Sequence, residues 1–123
     1  MSLQRLIIEM GMGVDLHGQD HTKAARRAVE DALRHSSMPV LRAIDGLKAQ
    51  ARVKVTIGVP RPDAVDREAV ACVLPHDGVE IVVVEGGLSV ADAAYGGAHV
   101  IASAAVELFL PRQHGWRLGR SEV

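Results

Sequence analysis

Apolar and polar positions alternate from the start of the chain. In residues 4–10 (QRLIIEM) Leu6, Ile8 and Met10 share one side, with Arg5, Ile7 and Glu9 on the other, which is the period of a strand. Gly11 and Gly13 then loosen the backbone, and a polar loop runs to Lys23. Beyond it Ala24, Ala25, Ala28, Val29, Ala32 and Leu33 recur at helical spacing. The small residues on that stripe let a helix lie close on a sheet, and Asp20 or Thr22 caps its first turn. A shorter helix is expected to restart at residues 36–39 (SSMP), with Val40, Leu41, Ile44 and Leu47 inward. Residues 51–59 (ARVKVTIGV) alternate as a strand with Val53, Val55, Ile57 and Val59 buried. A third helix starts at Asp63 and Asp66 and closes at Pro75, with Cys72 a small buried residue on it. Residues 78–85 (GVEIVVVE) are an almost unbroken β-branched run, as in a strand covered on both faces. After a glycine-bearing loop, residues 99–110 alternate again, with Val100, Ala102, Ala104, Val106 and Leu108 on one face; alternation favours strand over helix.

The order β-α-α-β-α-β-β predicts a two-layer α+β sandwich of one domain (residues 1–110) with a basic tail (residues 111–123). Right-handed crossovers make the first three strands largely parallel, and the fourth antiparallel to a neighbour in a mixed four-stranded sheet. Helices on one face only leave the other face apolar and bare, which calls for a second copy to cover it, so a homo-oligomer is expected.

Composition narrows the function. With 123 residues and a net charge of -1, the chain lacks the basic footprint of a nucleic-acid binder. Tyr95, Phe109 and Trp116 are its only aromatic residues, too few for a base-stacking platform. A single cysteine excludes an internal disulfide and suits a reducing, cytoplasmic setting. No apolar run approaches the roughly 20 residues of a membrane helix, so neither nucleic acid nor membrane is an expected partner. No dinucleotide or P-loop fingerprint is present, so no nucleotide cofactor is expected.

The densest polar signal is Gly11-Met12-Gly13-Val14-Asp15-Leu16-His17-Gly18. In extended chain Asp15 and His17 project to the same side. A carboxylate beside an imidazole can tune it for proton transfer, ligate a divalent metal such as zinc, or grip a polar ligand; the same residues also suit a plain turn. Gly13 and Gly18 would let a ligand approach the main chain, with Gln19 and Asp20 beside it. Lys23 and Arg27, one turn apart, could bind an anion at the helix start, or form a solvated face. Gly86-Gly87 and Gly96-Gly97 bracket a loop that could cradle a phosphate, and Glu85 ends a buried strand, where carboxylates are uncommon. His76, His99 and His114 have no partner at ligand spacing and are read as structural or exposed.

The stretch GVDLHGQDHTKAARRAVEDALRH, with VKVTIGVP and VVVEGGL downstream, resembles a small "Lin-type" family of conserved hypothetical bacterial proteins of about this length, from Leu6 to Leu110. The chain is also distantly similar to the cyclodiphosphate synthase of isoprenoid biosynthesis, related in fold to the trimeric chorismate mutases. That enzyme's Gly-x-Gly-x-Asp-x-His motif is met by Gly11, Gly13, Asp15 and His17. Its helix pattern His-Ala-x-x-Asp-Ala-Leu falls on Arg27-Ala28-Val29-Glu30-Asp31-Ala32-Leu33, and Ile-Ala-x-x-Ala-Val on Ile101, Ala102, Ala105 and Val106. The resemblance implies a ring trimer, or stacked trimers, with sites at subunit boundaries and Asp15 and His17 as zinc ligands. Its third ligand position holds Arg27, whose guanidinium cannot ligate zinc.

These observations lead to an enzyme of lyase, isomerase or hydrolase type acting on a small anionic metabolite. Asp15, His17 and Lys23 would carry the chemistry. Gly13, Gly18, Gln19, Asp20, Arg27, Glu85, Gly86 and Gly87 would form the ligand site. The alternative is a non-catalytic oligomeric module that binds a metabolite or serves in assembly.

Overall fold

The computed structural model describes residues 2–35, 40–117 and 119; the helix restart expected at 36–39, and residues 118 and 120–123 of the expected tail, lie outside the described residues. The elements are β1 (Leu3–Asp15), α1 (His21–Arg34), α2 (Val40–Ala43), α3 (Leu47–Gln50), β2 (Arg52–Val59), a 3-10 turn (Pro62–Ala64), α4 (Arg67–Ala71), β3 (Glu80–Glu85), β4 (Leu88–Ala91) and β5 (Ala98–Pro111). The architecture is α+β with an open mixed sheet of five strands where four were expected. The extra strand is β4, four residues long, within the stretch read as a glycine loop. The strand order is β1-β5-β2-β3, with β4 beside β5. β5 runs antiparallel to β1, β2 and β4, and β2 is parallel to β3, so the first three strands point the same way. Among the described residues no helix is long and apolar enough to cross a membrane.

The glycines that looked like a break lie inside β1. A Cβ on Gly13 would stand 2.2 Å from the Ala24 carbonyl oxygen and 2.4 Å from Ala28 N, and one on Gly11 2.4 Å from both Ala28 O and Ala32 N. Backbone packs on backbone here. β1 has glycine where α1 crosses it, and α1 presents Ala24, Ala28 and Ala32, all fully buried. The rest of the core is the alternating inward set of β2 (Val53, Val55, Ile57, Val59) and β5 (Val100, Ala102, Ala104, Leu108). The polar clamps of α1 reinforce the seam: Met12 N donates to Asp31 Oδ2 at 3.0 Å, and Arg27 Nη1 to the Val14 carbonyl at 2.6 Å. Both reach backbone groups of β1, an edge strand with no further strand to pair them.

Three expectations are corrected. β3 is not covered on both faces: it is the other edge of the sheet, and Glu80, Val84 and Glu85 are exposed. The third helix is only the 3-10 turn and five-residue α4, with Asp66 rather than Asp63 as its cap, accepting from Glu68 N and Ala69 N. Cys72, at its end, is exposed rather than buried.

The face away from the helices carries Ile8, Met10 and Met12 of β1, Val84 of β3, and Leu88 and Val90 of β4. They are 39%, 63%, 56%, 45%, 58% and 52% exposed, so the bare face predicted by the alternation is present in the single chain.

Candidate functional site

The polar residues gather where β1, β2 and β3 end and β5 begins, but they form two groups on opposite sides of the sheet. Asp15 pairs with Val100 and, like it, faces α1. Its side chain is 7% exposed; Oδ2 accepts from Asp20 N at 2.8 Å, and Oδ1 lies 3.8 Å from Lys23 Nζ and 3.9 Å from Arg27 Nη1. Asp20 in turn caps α1, its Oδ1 accepting from Lys23 N at 3.0 Å. Gly18 permits the tight return, since a Cβ there would stand 3.0 Å from Asp15 Oδ2. Gln19 takes a positive φ of 51°, and its carbonyl meets His21 Nδ1 at 3.0 Å. His21 itself is buried, with Nε2 lacking a hydrogen-bond partner among the described residues. Asp15, Asp20, Lys23 and Arg27 thus clamp the strand-to-helix entry, with both basic side chains about half-exposed around one buried carboxylate.

His17 belongs to the second group. The chain bends at Leu16, so the extended geometry that would align His17 with Asp15 does not continue, and no hydrogen bond joins the two among the described residues. Its ring instead lies edge-on to His99, with centroids 6.0 Å apart. His99 precedes Val100 on β5 and so projects to the bare face, opposite to Asp15. Its Nδ1 meets the Leu16 carbonyl, and Nε2 stands 3.2 Å from Asp92 Oδ2. Both neighbours are acceptors, so the ring is held in place from two sides. Asp92 is fixed by its own turn, Oδ1 accepting from Ala94 N at 3.0 Å and Tyr95 N at 3.1 Å. The Tyr95 amide above all holds its carboxyl below the usual value; a smaller desolvation opposes this, and the Ala94 amide and the charges of His99 and His17 add to the lowering.

Asp92 and His99 were missed because seven positions of turn and strand separate them, and only the pairing of β4 with β5 brings them together. Conversely, Gly13 is no ligand contact: it is buried beneath α1. Several amides of the loop that could have cradled a phosphate are already engaged. Gly86 N donates to the Val59 carbonyl at 2.9 Å and Gly96 N to the Asp92 carbonyl at 2.9 Å, while the amides of Ala94 and Tyr95 are taken by Asp92 itself. Glu85, Gly86 and Gly87 line an open groove with Pro60, Leu88 and Ser89, on the side of β5 away from β1 and Asp15. The zinc expectation fails its chemical test. Asp15 already faces two cations, which would oppose a third, and among the described residues no three His, Cys, Asp or Glu side chains are placed to hold a metal ion.

A family model described as conserved hypothetical protein (Lin0512_fam) matches residues 5–108. The chain is also similar to a crystal structure described as an FtsZ-like protein of unknown function from Nostoc punctiforme PCC 73102. The two are 36% identical, with a TM-score of 0.80, over 91% of this chain and 99% of that one. No curated protein matches the chain.

Proposed function

The chain belongs to the Lin0512 family of conserved hypothetical proteins, and on that footing we propose that it is a small-molecule enzyme working by proton transfer on an anionic substrate. The observation that carries this is His99, gripped at both ring nitrogens by acceptors, beside an imidazole, His17, with no hydrogen bond of its own among the described residues. His17 is the acid/base group, free to meet a substrate from solvent. His99, held between the Leu16 carbonyl and Asp92, is a positioning residue that holds the His17 loop. Asp15 anchors Lys23 and Arg27 in this reading rather than moving protons, and those two cations raise the local anion concentration at the same end of the sheet. Lyase, isomerase or hydrolase chemistry on a small carboxylate or phosphate fits this set of groups.

The reading includes a cytoplasmic homo-oligomer, supported by the bare apolar face and the lone thiol of Cys72. A trimer of the chorismate-mutase-like kind is the arrangement the sequence resemblance favours, and it would bring the His17 and His99 side of the sheet to a boundary between copies. The second reading is a non-catalytic assembly module, favoured by the same apolar face. The likeness to an FtsZ-like protein supports shared architecture with that protein and brings no activity to this one.

The test is an NMR titration of the protein with inorganic phosphate and, separately, malonate, following the imidazole signals. The enzyme reading expects a saturable shift of His17 below about 10 mM, weakened in Lys23→Gln and absent in His17→Gln, with native mass unchanged in both. Signals that stay flat, or variants that change the native mass and nothing else, support the module instead.

A further inference from the structure

The helix layer covers the sheet unevenly. Toward the C-terminal end of α1 a cavity of about 370 Å³ opens among the described residues, between a floor of Ile7, Val53, Val106 and Leu108 and apolar walls that include Leu33 and Leu41. It lies on the helix side, along the first half of β1 and the last half of β5, so it is separate from the His17 and Asp15 groups at the other end of those strands. A close-packed interior has no empty space of this size, whereas small-ligand pockets begin at roughly 300 Å³. A dry pocket of ~150 Å³ already holds a benzene ring, so this one has room for two rings or a medium-length alkyl chain.

The polar rim decides the charge of the occupant. Arg42 and Lys48 stand at the mouth, exposed, and neither pairs with a carboxylate among the described residues. The one acid in the wall, Glu9, has its Oε2 3.7 Å from His35 Nδ1, so two rim cations stand against one carboxylate. His76 is held in the wall through Nε2, 3.1 Å from the Ala51 carbonyl. An apolar pocket whose rim carries two cations against one acid favours an amphipathic anion over a cation of equal length.

We propose that this cavity is a second binding site, taking an apolar carboxylate with the chain inside and the carboxylate between Arg42 and Lys48. It is independent of the catalytic reading above, since neither set of residues enters the other.

Calorimetric titration with decanoate and with decylamine tests it. The wild-type protein is expected to bind decanoate saturably, about one per chain and about tenfold more tightly than decylamine. The double variant Arg42→Glu/Lys48→Glu, altered only at exposed positions, reverses that order. Leu33→Trp, which fills the cavity, loses decanoate, and Met12→Lys on the bare sheet face leaves it unchanged. The proposal is overturned by any of three results: no saturable uptake of decanoate by the wild-type protein, equal affinity for the two probes whatever the rim charge, or loss of binding in Met12→Lys, which would put the probe on the sheet face.

Discussion

Asp92 does three jobs with one carboxylate: it closes its own turn through Ala94 N and Tyr95 N, faces His99 Nε2, and so ties the 92–97 turn to the start of β5. Because these contacts lower its pKa in the folded chain, they stabilise the turn fully above the unfolded carboxylate value of about 3.9 and are lost as pH falls through the lowered folded one. Acidification below about pH 4 is therefore expected to shift and deprotect the Ala94 and Tyr95 amides in an NMR pH series. Asp92→Asn, which keeps the acceptor oxygen and removes the charge, should show no such step. A flat wild-type series, or the same step in the variant, contradicts the assignment. At this scale the sequence was a partial guide. The Asp15 to His17 spacing marked a stretch in which Asp15 does clamp the start of α1. It joined the wrong partners, because alternation holds only while the chain stays extended, and the bend at Leu16 sends His17 toward His99.

Helix α1 on strand β1 shows where sequence patterns carry information and where they do not. The alanine stripe was legible because a 3.6 period repeats over the helix's own residues. The reason for Gly11 and Gly13 was not, because a glycine that admits another backbone looks the same in one dimension as a glycine that breaks a strand. Short elements escaped for a related reason: β4 and α4 have four and five residues, and their order comes from β5 and α1 rather than from any period of their own. The close seam makes a contrast that can be measured. In Gly13→Ala the new methyl meets backbone atoms at 2.2 and 2.4 Å that cannot swing aside, so urea unfolding should show a loss of about 1–3 kcal/mol. Gly58→Ala, whose nearest neighbour is Gly86 Cα at an ordinary 3.5 Å, should change stability by less than about 1 kcal/mol. Equal effects at both positions would mean that α1 does not press on β1 as closely as the structure has it.

At the scale of the molecule the decisive asymmetry is that, among the described residues, one sheet face has a helix layer and the other has none. Each strand residue spans roughly 3.3 by 4.8 Å, so the five strands present a bare face on the order of 700 Å². A face of that size approaches the ~800 Å² each partner buries in a stable complex. The face is not uniformly apolar: Glu107, paired with Arg5 at 3.2 Å, Lys54 and Ser103 share it with Met10, Met12 and Leu88. Such a mixture suits a specific seam between copies better than indiscriminate sticking, because each charge must find a partner there or stay at the rim. Burying even half of that face at about 25 cal/mol per Å² would contribute several kcal/mol to association before its entropic cost. Sedimentation of the wild-type protein should therefore give a multiple of the 13.1 kDa chain, while Met12→Lys combined with Leu88→Lys should give the single chain with unchanged circular dichroism. If that folded monomer also loses the phosphate-induced shift of His17, the histidine pair depends on the seam; if it keeps the shift, each chain carries its site whole and the apolar face serves assembly alone.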